Sequence, residues 1–168
     1  DKLLCFCCDD EKDDEPDDYI SPLPNDILIS ILSRLTLKEA AITSNLSRRW
    51  RYLWTHTAGL DFDANDMLDR IAADPKSQIS ERPKYIKWVI RVVRQHQGEI
   101  LEAVRICFDL ENSSKCAIDN WVKFAVSKGV QKLELDLMEN GETLHQPMRN
   151  YMFPYKQLCK GLFQRSLT

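Results

Sequence analysis

The chain has 168 residues and a net charge of −3, with 43% hydrophobic and 29% charged residues, an ordinary make-up for a globular protein. The charge is uneven: residues 1–18 carry nine acids against Lys2 and Lys12, a balance of −7, which leaves +4 for the rest. That excess is far below the cation density of nucleic-acid-binding domains, and no stretch approaches the roughly 20 apolar residues of a membrane helix, so neither a nucleic-acid nor a membrane role is expected.

Residues 1–18 have almost no apolar side chains after Cys8, so an acidic disordered tail is expected, with order beginning near Tyr19. Six cysteines are present, three of them crowded at Cys5, Cys7 and Cys8; with no secretory signal, free thiols in a reducing compartment are expected. The C-x-C-C run lacks a second ligand pair, so no metal or other cofactor is expected.

Residues 19–59 have the pattern of three short helices. The first starts at Pro24, which suits a first helical position, and carries two i+4 rows: Ile27, Ile31 and Leu35, beside Leu28 and Leu32. The second starts at Thr36, which with Glu39 makes a capping box. The third runs from Ser47 to about Thr57, with Trp50, Leu53 and Trp54 at i, i+3, i+4 and Arg48, Arg49 and Arg51 on a solvated face. Its centre, Trp50, is expected in the core.

Beyond Gly59 the periodicity changes. Leu60-Asp61-Phe62 alternates like a strand, and residues 63–82 are polar and mixed, expected as loop with one helical turn. Pro83 to Gln97 is a helix on Ile86, Val89, Ile90 and Val93, stopped by Gly98. Val104, Ile106 and Phe108 alternate, Ile118 to Val126 form a helical stripe ending at Gly129, and Leu133, Leu135 and Leu137 alternate again. The two strands superpose at an offset of 29 residues, at the upper end of the leucine-rich-repeat range. His56, His96 and His145 are far apart in sequence and expected at the surface. No phosphate-binding glycine loop, nucleophile elbow or selected carboxylate pair is present, and no catalytic site is expected.

The segments from Leu23-Pro24-Asn25-Asp26-Ile27-Leu28 through Leu35, Thr36-Leu37-Lys38-Glu39 and Leu46-Ser47-Arg48-Arg49-Trp50-Arg51-Tyr52-Leu53-Trp54 strongly resemble an F-box in order and spacing. The strand–helix units after it resemble the first repeats of plant-type F-box/leucine-rich-repeat proteins. The chain departs from the family at Ile42, where a basic residue is common, and at Asn45, usually aliphatic; an Asn45 facing the core would need a hydrogen-bond partner.

The resemblance implies a mixed α and β fold: a three-helix F-box over residues 19–59, then the first strand–helix units of a leucine-rich-repeat solenoid over 60–168, frayed after about residue 140. It also implies a non-catalytic, substrate-recognising subunit of an SCF-type cullin–RING ubiquitin ligase, in the cytoplasm or nucleus. The F-box would dock a Skp-type adaptor, and through it cullin and RING protein, while the repeats hold an unknown protein substrate. The alternative is a truncated F-box protein that occupies the adaptor without delivering substrate. Carried over by motif position, Leu23, Pro24, Ile27, Leu28, Ile31, Leu32, Leu53 and Trp54 are the expected adaptor-facing residues, and Leu35, Leu37, Leu46 and Trp50 the expected F-box core.

Overall fold

The computed structural model describes residues 19–99, 101–110 and 112–138. The expected acidic tail, the expected fraying after residue 140, Cys5, Cys7, Cys8 and His145 lie outside the described residues.

The helical part opens with α1 (Asn25–Leu32) and α2 (Leu37–Ile42), followed by 3-10 turns at Thr43–Asn45 and Trp50–His56. Pro24 is the N-cap of α1, one position earlier than the sequence suggested; its carbonyl accepts the first helical bond from Leu28, 3.2 Å away. The capping box of α2 is complete, with Thr36 Oγ1 accepting from the Glu39 amide and Glu39 accepting from the Thr36 amide. The third helix departs from the expected α form: Trp50–His56 is 3-10, with no side-chain cap from Ser47. With three residues per turn, Trp50 and Leu53 fall on one side, and both are buried with Trp54.

The remainder is a three-stranded parallel sheet in the order β1 (Gly59–Phe62), β2 (Ala103–Asp109), β3 (Lys132–Met138). Parallel strands need crossovers. The first contains α3 (Asn65–Ala73) and α4 (Gln78–Gln95), the second α5 (Lys115–Ser127). Val104 pairs with Leu133, Ile106 with Leu135 and Phe108 with Leu137, so the 29-residue offset is the register of the sheet. These side chains face the helices. Tyr85 of α4 stacks on Phe108 with centroids 3.9 Å apart, Trp121 of α5 meets its edge, and the Tyr85 hydroxyl donates to the Phe62 carbonyl. The opposite face carries an in-register row of charges, Asp61, Arg105 and Glu134, joined at 3.3 and 3.1 Å.

α5 ends in a Schellman motif: Gly129 takes φ 69°, its amide donates to Val126, and the Val130 amide donates to Ala125. Residues 63–82 are more ordered than their polarity suggested. Ala64, Met67, Leu68 and Ile71 fall at i, i+3, i+4 and i+7, and the stripe is turned inward with Leu68 and Ile71 buried. α4 begins five residues before Pro83; Glu81, which accepts from Arg70 and Lys84 at 2.7 Å each, ties the turn before the proline to α3.

Candidate partner-docking face on the helical unit

On α1 the two apolar rows part company. Successive residues are about 100° apart around a helix, so one row turns inward and the other away. Leu28 and Leu32 are 0% and 1% exposed, whereas Ile27 and Ile31 are 48% and 43% exposed. Pro24 is exposed beside them and Leu23 is half-buried against the core. Leu28, Leu32, Leu53 and Trp54, expected to face a partner, are therefore core residues of this chain. Leu37 and Trp50 are buried as core. The expectation of core positions for Leu35 and Leu46 is also corrected: both are exposed, Leu35 because it follows the end of α1 and Leu46 because it sits in the turn between the two 3-10 segments. Asn45 is exposed as well, so it carries no desolvation penalty.

The start of the face is held by a residue assigned from sequence to a solvated arginine face. Arg49 donates from Nε to Asn25 Oδ1 at 2.8 Å, from Nη1 to the Ser21 carbonyl at 2.5 Å, and from Nη2 to the Leu23 carbonyl. The cause lies in the sequence. Pro24 has no N–H, so a turn through Ser21–Pro24 cannot satisfy the Ser21 carbonyl from within, and a planar five-donor guanidinium does so from outside. The two prolines around Leu23 were the available signal for this clamp.

The other end of the helical unit is sewn to the sheet. The Thr55 carbonyl accepts from the amides of Gln97 and Gly98, the Ala58 carbonyl from Glu102, and Ser33 Oγ from the Ala58 amide at 3.4 Å. His96, expected at the surface, is buried in this seam with Nε2 3.1 Å from the Thr57 carbonyl. Burial pushes its pKa down, the Thr57 carbonyl acting against that. A Cβ on Gly98 would lie 2.9 Å from His96 Cε1, so the bare backbone is what admits the ring. α1 is thus presented from a fixed base.

Cys107 is buried beside Asp136, and burial first, with the aspartate second, pushes its thiol up to about 11, so at neutral pH it is protonated and no nucleophile. Among the described residues no group of three or more His, Cys, Asp or Glu side chains is placed to hold a metal, and no helix is long and apolar enough to cross a membrane.

The profile of the F-box domain matches residues 20–58, the segment that carries the Ile27/Ile31 row and the Arg49 clamp. Relatives in Arabidopsis thaliana match over stretches of 122 to 127 residues, longer than that segment. A putative F-box/LRR-repeat protein is 32% identical over 73% of this chain and 25% of its own length. An F-box/LRR-repeat protein is 36% identical over 73% and 23%, and an F-box/FBD/LRR-repeat protein 37% identical over 71% and 25%. The chain carries an F-box domain, and over rather more than two thirds of its length it is similar to plant F-box/LRR-repeat proteins. It spans about a quarter of the length of these relatives. No solved structure matches it. F-box proteins are in general adaptor-binding, non-catalytic components, and no catalytic family is indicated for this chain.

Proposed function

We propose that this chain is the adaptor-binding part of a substrate-recognising subunit of an SCF-type ubiquitin ligase, acting in the cytoplasm or nucleus. The observation that carries the reading is the split of α1: an F-box helix whose inner row is fully buried and whose outer row, Ile27 and Ile31, lies open beside Pro24. Burying an aliphatic side chain of this class contributes about 1.5–3 kcal/mol, so two or three half-exposed anchors supply enough for specific association once its costs are met. The occupant of this face is a Skp-type adaptor, which links the chain to cullin and RING protein. Chemistry then belongs to the other subunits, and this one supplies proximity.

The strand–helix units after the F-box are the opening of a leucine-rich-repeat solenoid. The parallel order β1-β2-β3 and the 29-residue register support this, because each further unit of that length adds one strand to the edge of β3. The charged row Asp61–Arg105–Glu134 lines the inner face of that solenoid, the side on which a protein substrate is held. Titration of a plant Skp-type adaptor into the full chain tests the docking role. A saturable one-to-one complex is expected, and a folded chain that gives no heat and no co-elution with the adaptor overturns it.

A further inference from the structure

Between the F-box and α4 runs an open groove of about 850 Å³. Ile42 and Tyr52 stand exposed on one wall and the half-buried Trp88 lines the other, with Arg51, Arg91 and Arg94 around them. Its lining includes four cations and no carboxylate. One of these, Lys38, is paired with Asp66 at 3.0 Å; the three arginines have no ion-pair partner among the described residues. An apolar floor under unneutralised cations calls for an occupant that is both apolar and acidic.

We propose that the chain's own residues 1–18 fill this groove. They carry both properties in sequence: Leu3, Leu4 and Phe6 first, then Asp9, Asp10, Glu11, Asp13, Asp14, Glu15, Asp17 and Asp18, with a local balance of −7. Their extended reach is about 60 Å from Tyr19, enough to reach any part of a unit this small. Leu3, Leu4 and Phe6 cover Ile42, Tyr52 and Trp88, and the acidic run neutralises Arg51, Arg91 and Arg94. This contact is independent of the adaptor reading. It makes the acidic leader an intramolecular cover for a face that otherwise carries bare arginines and two exposed large apolar side chains.

Hydrogen-exchange mass spectrometry on the full chain tests it. At low salt the amides of residues 3–18 should exchange about tenfold or more slower than their intrinsic rates. They should return to intrinsic rates in the variant Arg51→Glu/Arg91→Glu/Arg94→Glu, with the protection of α5 unchanged. If that variant loses α5 protection as well, the wild-type chain decides in about 1 M NaCl, where exposed ion pairs are screened and the same release is expected. Intrinsic rates in the wild type at low salt, protection that survives both charge reversal and salt, or protection that grows with protein concentration (a second copy as occupant) would each overturn the proposal.

Discussion

The helical unit and the sheet unit treat their apolar residues in opposite ways. Of the nine large hydrophobic residues exposed among the described residues, eight lie between Tyr19 and Tyr52, and the ninth is Ile79. In the sheet unit, Tyr85, Ile106, Phe108, Ile118 and Trp121 are all buried in one stack. The difference is partly geometric. Three short helices enclose little volume, so apolar side chains beyond the inner row have nowhere to go, whereas a parallel sheet covered by helices buries one whole face. On the proposed function, the Ile27/Ile31 row is a surface for a partner, whereas the buried stack is a core that supports stability.

The largest effect that could break this contrast is in the sheet unit. Tyr85→Ala removes a fully buried ring that stacks on Phe108 and donates to the Phe62 carbonyl, and it should cost about 3–5 kcal/mol in urea unfolding. A loss as small as that of an exposed residue such as Tyr52 would show that the stack is not the core it looks like.

Next in size is the Arg49 clamp. Arg49→Lys keeps the charge but loses the fork to Ser21, Leu23 and Asn25. It should cost about 1–2 kcal/mol and speed hydrogen exchange at the start of α1, leaving β2 and α5 untouched. Equal acceleration in both units would mean that the clamp holds more than the docking face.

A separate set of effects is that of pH. The Arg70 and Lys84 bonds, in that order, hold the Glu81 carboxyl at about 2, below its ordinary 4.5. Its contribution is therefore complete above about pH 4.5 and is lost as the pH falls from there toward 2. The buried His96 is lowered from 6.5, so the folded state favours its neutral form and stability declines as the pH falls below 6.5. Chemical denaturation across pH 7 to 3 should show the first decline vanish in His96→Gln and the second flatten in Glu81→Gln. An unchanged profile in His96→Gln would remove the seam as its cause.

Much of this architecture was legible in the residues. Alternation at Val104–Phe108 and Leu133–Leu137 fixed both strands and their register, and Thr36 with Glu39 fixed the start of α2. The sides of α1 were not legible. Ile27 and Leu28 are equally apolar, and periodicity cannot say which row turns inward when both are aliphatic; that is set by how Trp50, Leu53 and Trp54 pack against the helix. Leu35 and Leu46 failed for a related reason, since apolar identity reads as burial unless the chain turns there. α3 was read as a single helical turn because Asp66, Asp69 and Arg70 interrupt its short apolar stripe, although the spacing of that stripe is helical. His96 was misplaced, and the bonds of the exposed Arg49 went unread, because most of their partners are backbone carbonyls, which leave no mark in side-chain patterns.

The most direct test of the central claim sets the two rows of α1 against each other in adaptor-binding calorimetry and unfolding. The account predicts that Ile27→Asp/Ile31→Asp loses at least about 100-fold in affinity for a Skp-type adaptor while its unfolding midpoint hardly moves. Leu28→Ala should lose about 2–5 kcal/mol of stability and keep its affinity wherever it remains folded. Wild-type affinity in the double aspartate variant, at unchanged stability, would contradict the assignment of the exposed row as the docking face.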